Sequence, residues 1–153
     1  MRQRGVTLIE LVICIGLISM IASMAVLTLG QSLAKQELDS ASRQLVADIR
    51  WLQQLSINSG GGTVIYRLLF NNSVPYGYYV IANTQVIKKI TLPVSIRLAG
   101  NYVPIDFGLS GAPTGAQTIS LQSTKLKIWK YVVLAPVTGR VRISDAVPGQ
   151  TEE

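Results

Sequence analysis

Residues 11–34 read LVICIGLISMIASMAVLTLGQSLA, from Leu11 to Ala34 without one charged side chain. As a helix, 24 residues reach roughly 36 Å, enough to cross a bilayer with some tilt. Arg2 and Arg4 precede the run, and Lys35, Glu37 and Asp39 follow it. The basic flank predicts an N-terminus in the cytoplasm and an exported remainder. Ser23-Met24-Ala25 has the small-x-small character of a secretory cleavage site, but the run is long for a signal segment and its helical pattern continues past it. Glu10 sits at the edge of the run, where an ordinary anchor gains nothing from an acid. That carboxylate asks for a partner.

Beyond the run, Leu38, Ala41, Leu45, Ile49 and Leu52 recur at helical spacing, with Lys35, Asp39, Arg43, Asp48 and Arg50 expected on the opposite, solvated face. No Pro occurs before Pro75, so one helix is predicted from about residue 7 to 57, ended by Asn58-Ser59-Gly60-Gly61-Gly62. The period then switches to two. Val64, Tyr66, Leu68 and Phe70 alternate with their neighbours, and short runs at 77–82, 85–91, 94–98, 118–122, 126–134 and 140–144 continue the pattern. Turn residues at 71–75 and 110–117 separate them; Asn71-Asn72-Ser73 matches a glycosylation sequon but reads as a turn former. The predicted fold class is α+β, a long hydrophobic-then-amphipathic helix packed on a small, mainly antiparallel β-sheet head of six or seven strands. The expected divisions are 1–5, 6–34, 35–57 and 63–153.

Composition narrows the function. The 153 residues are 48% hydrophobic and 14% charged, which excludes a disordered tail. There is no His, removing the commonest general base and metal ligand, and Cys14 alone permits no internal disulfide. Cys14 lies in the apolar run and reads as packing. Residues 63–144 contain one acid, Asp106, so neither a metal nor any other cofactor is expected, and no catalysis.

The stretch Arg2-Gln-Arg-Gly5-Val6-Thr-Leu-Ile-Glu10-Leu-Val12 resembles the class III signal of type IV pilins and of the pseudopilins of type II secretion. The resemblance implies that a prepilin peptidase cuts between Gly5 and Val6 and methylates Val6, and that Glu10, the fifth mature residue, sets filament register against a neighbour's N-terminus. Val6 departs from the usual Phe or Met. Thr7-x-x-Glu10 also has capping-box spacing, and both roles are compatible in one subunit. Cutting ahead of the apolar run leaves the anchor on the mature chain.

Ala41-Ser-Arg-Gln-Leu-Val-Ala-Asp-Ile-Arg50, followed by a β domain that ends in Thr138-Gly-Arg-Val-Arg-Ile143, is similar to the H-type minor pseudopilins and the FimT/FimU minor pilins. Major pilins of the family usually close a C-terminal disulfide, which this chain cannot, and calcium-stabilised major pseudopilins carry an acidic loop that is absent. The resemblance therefore implies a minor pilin that primes filaments, partnered by other pilins. The alternative is a minor pseudopilin at the tip of a type II secretion pseudopilus.

Residues 63–153 carry nine basic side chains against four acids, placing the excess positive charge on the expected head. Such a surface suits a polyanion, and DNA is the expected partner, bound without sequence readout. In a strand over 125–133, Lys125, Lys127, Trp129 and Tyr131 would share a face that joins ammonium groups to rings. Arg140 and Arg142 would share another, with Val141 and Ile143 turned to the core. Gly139-Arg140-Val141-Arg142 resembles the Gly-Arg-x-Arg element of DNA-binding FimT-type minor pilins of natural transformation. Alternating basic residues are equally the look of a solvated face or of a protected sheet edge.

Overall fold

The computed structural model describes residues 7–60, 62 and 64–147. The chain divides into two compact units after Leu33. Helix α1 runs Leu8–Asn58 without interruption, as the absence of Pro and the sustained periodicity lead one to expect. In its first part every side chain from Thr7 to Ser23 is exposed, Cys14 among them.

From Ala34 onward one face of α1 is buried. Leu38, Leu45, Ile49 and Leu52 have no exposed surface, each contributing about 1.5–3 kcal/mol of apolar burial. α1 stops where Gly60 adopts a left-handed conformation (φ 59°), a backbone state that glycine enters at little cost.

Among the described residues eight strands follow: β1 Tyr66–Asn71, β2 Gly77–Ala82, β3 Gln85–Thr91, β4 Ile96–Leu98, β5 Ile105–Asp106, β6 Gln117–Ser123, β7 Trp129–Leu134 and β8 Val141–Ser144. They form two four-stranded antiparallel sheets in the orders β3-β2-β1-β5 and β4-β6-β7-β8, where a single sheet was expected. The switch falls at Pro93. Leu92 still donates its N–H to the Tyr76 carbonyl, but Pro93 has no N–H to continue the ladder, and the chain leaves to pair Ile96–Leu98 with β6. Both sheets close on the helix through one core, which joins Leu45 and Ile49 to Leu68, Tyr78 and Val80 of the first sheet and to Ile119, Leu121 and Val132 of the second.

Asp48 departs from the expected solvated face: it is buried, 3% exposed. The charge is tolerated because its carboxylate accepts from Tyr78 Oη at 2.7 Å, Lys88 Nζ at 2.6 Å and Gln44 Nε2 at 3.3 Å. Burial and the adjacent carboxylate push the Tyr78 hydroxyl well above its ordinary pKa. At the sequon, Asn71 Oδ1 accepts from the Ser73 hydroxyl and Asn71 Nδ2 donates to the Pro75 carbonyl, which is the work of a turn former.

Candidate functional site

At the N-terminus, Thr7 Oγ1 accepts from the Glu10 N–H at 3.4 Å, one half of a capping box, and the Glu10 side chain is exposed in the first turn of α1. Gly5 and Val6 lie outside the described residues. The helix that follows exposes Leu8, Ile9, Leu11, Val12 and Ile13 by half or more of their surface, far more apolar area than a free water-facing helix shows. Among the described residues no helix is long and apolar enough to cross a membrane, and the uncharged run includes residues 24–29, whose side chains are outside that set.

Within the second unit, basic side chains gather in two places near α1 that involve residues singled out in the sequence. The first is a cleft of about 440 Å³ between α1 and β8, in which Arg43 and Arg50 from the helix face Arg142 from the strand. The cleft is built by a short connection. Ala135 donates its N–H to the Arg140 carbonyl, Gly139 donates to the Ala135 carbonyl, and Gly139 turns the chain in the left-handed region (φ 64°). Only glycine fits there: a Cβ would stand 2.4 Å from the Gly111 carbonyl oxygen and 2.5 Å from Gln53 Nε2. The glycine of the Gly-Arg-x-Arg stretch thus seats β8 against the helix. Arg50 Nη2 donates to the Val141 carbonyl at 3.2 Å and fastens the same strand.

Arg140 and Arg142 are both exposed, as expected. Arg140 directly precedes β8, and Arg142 lies within it opposite Val133. Val141 is buried, but Ile143 is 37% exposed, because β8 is an edge strand and its far end runs past the core.

One end of the cleft is closed by Lys130, which bridges Asp39 at 2.8 Å and Asp145 at 2.6 Å. The hydrogen bond from Lys130 holds the Asp39 carboxyl below its ordinary range. The bonds to Asp145 and then Asp39 raise the Lys130 ammonium above its own. Lys130 is thereby neutralised, and the arginines carry the field of the cleft.

The second place lies on the other side of that bridge. Trp129 and Tyr131 hold their rings parallel, with centroids 6.4 Å apart, beside Lys35 of α1. Lys125 and Lys127 do not share a strand with them as expected. β7 begins at Trp129, Lys125 sits in a turn, and Lys127 adopts φ 56° with its N–H bonded to the Ser123 carbonyl. The turn closes without Gly, Pro or Asn, using the Ser123 hydroxyl to accept from the Leu126 N–H. Of the six basic and aromatic residues singled out in the head, Lys125 and Lys127 therefore do not share a strand face with Trp129 and Tyr131. Arg142 joins two helix arginines, and Trp129 joins Lys35.

Arg43 and Arg50 were the residues that sequence reasoning passed over as a solvated face. Their separation of seven residues places them on one stripe of the helix, which was the available signal. Among the described residues no group of three His, Cys, Asp or Glu side chains is placed to hold a metal ion.

Residues 1–26 match the family model described as the prokaryotic N-terminal methylation motif. The motif covers the first 26 of the 153 residues and, with the long N-terminal helix followed by antiparallel sheets, supports a type IV pilin-like protein. The motif implies processing by a prepilin peptidase and assembly with other pilins, the properties of a membrane-anchored structural subunit. No curated protein and no solved structure matches the chain.

Proposed function

We propose that the protein is a minor pilin of a type IV pilus, without catalysis of its own, that helps prime the filament and contacts DNA non-specifically for natural transformation. The leader of residues 1–5 is removed between Gly5 and Val6, and Val6 is methylated. The chain enters the inner membrane once through the apolar run of residues 6–34, with its N-terminus cytoplasmic and residues 63–153 exported. Glu10 then meets the N-terminal amine of a neighbouring subunit as the helix leaves lipid for the filament core, where an unpaired carboxylate is costly. The exposure of Glu10 at the first turn supports this pairing.

The observation that carries the DNA reading is the assembly of Arg142 with Arg43 and Arg50 around one cleft. Three guanidiniums that converge from two elements suit successive phosphates, which guanidinium forks bind in bidentate fashion. Nothing in the cleft resembles a recognition helix, so binding is led by the backbone and salt-sensitive.

Full-length protein in detergent micelles, titrated into labelled duplexes of unrelated sequence across a salt series, tests the reading. Similar affinities for all duplexes are expected. Each lost phosphate contact should flatten the log–log salt slope by about 0.9, so Arg140→Ala with Arg142→Ala should lose up to about two units and Arg43→Gln about one. A parent protein that fails to bind at low salt removes DNA from the account and leaves the minor pseudopilin of type II secretion. Unchanged slopes in both variants would place binding elsewhere on the head.

A further inference from the structure

The end of the head at which the apolar run joins it carries a built surface. The second unit starts at Ala34, so the side chains around Lys35 and Glu37 are those nearest in the chain to that run. Two loops are fastened there. Ser95 Oγ donates to Glu37, and the Ser95 carbonyl accepts from both the N–H (2.8 Å) and the hydroxyl (3.1 Å) of Thr124. The loop at 93–95 and the turn at 124–128 are therefore held together and to the helix.

What these loops present is apolar, aromatic and basic. Val94 is 97% exposed, the extreme of any large apolar side chain in the described head. Trp129 is 37% exposed with its ring parallel to Tyr131, and Lys35 lines the same hollow of about 540 Å³. Lys125 and Lys127 are exposed on the turn, and Arg97 lines a depression with Lys127. The acids of this end are already engaged: Glu37 by Ser95, Asp39 and Asp145 by Lys130. Among the described residues Lys35, Lys125 and Lys127 make no salt bridge. A tryptophan and a tyrosine beside flexible ammonium groups is the composition that settles at the headgroup level of a bilayer, with rings at the boundary and cations toward anionic lipid.

We propose that this end of the head, through Lys35, Lys125, Lys127, Trp129 and Val94, docks on an anionic lipid surface while the subunit is still anchored. The proposal rests on the membrane-anchoring reading of the apolar run. It assigns Lys125, Lys127 and Trp129 to lipid and leaves the arginine cleft to the polyanion. Docking holds the unassembled head against the bilayer, and leaving the membrane for a filament releases it.

The test uses full-length protein carrying Trp51→Phe, which leaves Trp129 as its one tryptophan of the two in the sequence. It is reconstituted into vesicles of phosphatidylcholine alone or of equal parts phosphatidylcholine and phosphatidylglycerol, and flotation records anchoring separately. Trp129 emission should be quenched by a headgroup-labelled lipid and shielded from acrylamide in the anionic vesicles, and added salt should reverse both. Lys35→Gln, Lys125→Gln and Lys127→Gln should each lower the docked-to-undocked ratio about fivefold, with an unchanged circular dichroism spectrum. Protein that floats with both vesicles while Trp129 is equally open to acrylamide in each overturns the docking and leaves the anchor intact. Failure to float overturns both. Shielding of Trp129 by a single-stranded oligonucleotide, with none by anionic lipid, reassigns the face to nucleic acid and ends the lipid proposal.

Discussion

Replacing Gly139 by alanine should cost the head about 2–4 kcal/mol. A left-handed backbone (φ 64°) costs an alanine about 1–2 kcal/mol relative to glycine. The new Cβ would stand 2.4 Å from the Gly111 carbonyl oxygen, a backbone atom that cannot turn aside, and 2.5 Å from Gln53 Nε2. Gln53 would have to give up its 2.7 Å bond to that carbonyl, which loses about 0.5–1.5 kcal/mol more. Small adjustments of the connection between β7 and β8 supply the remainder. For a unit of this size about 4 °C accompanies each kcal/mol, so the melting temperature of the head should fall by roughly 8–16 °C. Calorimetry or near-ultraviolet circular dichroism of the full chain in detergent reads this directly. Gly115→Ala is the control: nothing lies within 4 Å of its Cβ, and a shift below about 0.5 kcal/mol is expected. If Gly139→Ala melts with the parent, the glycine does not seat β8, and the construction of the cleft given above is wrong. The contrast with Arg140→Ala and Arg142→Ala is informative, because those exposed side chains should weaken DNA binding and leave the melting temperature alone.

Two further outcomes are expected. The Asp39 carboxyl is held below its ordinary 3.8, so its share of stability is complete above that pH and lost as the pH falls through the folded value; Lys130 is held above its ordinary 10.5, so its share is complete below that pH and lost as the pH rises through the folded value. The stability difference between the parent and Lys130→Met, measured by urea unfolding, should therefore be flat across neutral pH and shrink at both extremes; a difference that varies between pH 6 and 8 would contradict the bridge. Glu10→Gln keeps the size of the side chain and leaves the Thr7 bond to the Glu10 N–H in place, so head melting should be unchanged while co-purification with neighbouring pilins drops several-fold; recovery at the parent yield would end the intersubunit role.

The helix and most strands were legible because their signals are local. Leu38, Leu45, Ile49 and Leu52 repeat at the helical period, and the alternation through Tyr66–Phe70 survives as Leu68 buried between half-buried neighbours. Strand β5 has two residues, too few to show a period, and its pairing with Arg67 and Leu68 spans almost forty positions. The division into two sheets turns on one missing N–H at Pro93, which marks a strand end in any sequence but does not say which strand comes next. Asp48 is buried only because Tyr78 of β2 and Lys88 of β3 arrive to meet it.

The site shows the same limit. Gly139, Arg140 and Arg142 stand out along the chain, but Arg43 and Arg50 line one cleft with Arg142 only after β8 docks on the helix. Lys125 and Lys127 were placed on a strand because no turn residue interrupts 124–128, whereas Ser123 makes that turn with its own hydroxyl.

The central claim, that this is a prepilin-type subunit whose leader ends at Gly5, is tested most directly by intact-mass and N-terminal analysis of the protein recovered from membranes of a cell that holds a prepilin peptidase. The account predicts a chain of 148 residues, the 153 of the precursor without its first five, beginning at Val6 with one added methyl group on the amine. A chain beginning at Val26, or one that still begins at Met1 in the presence of active peptidase, would contradict it.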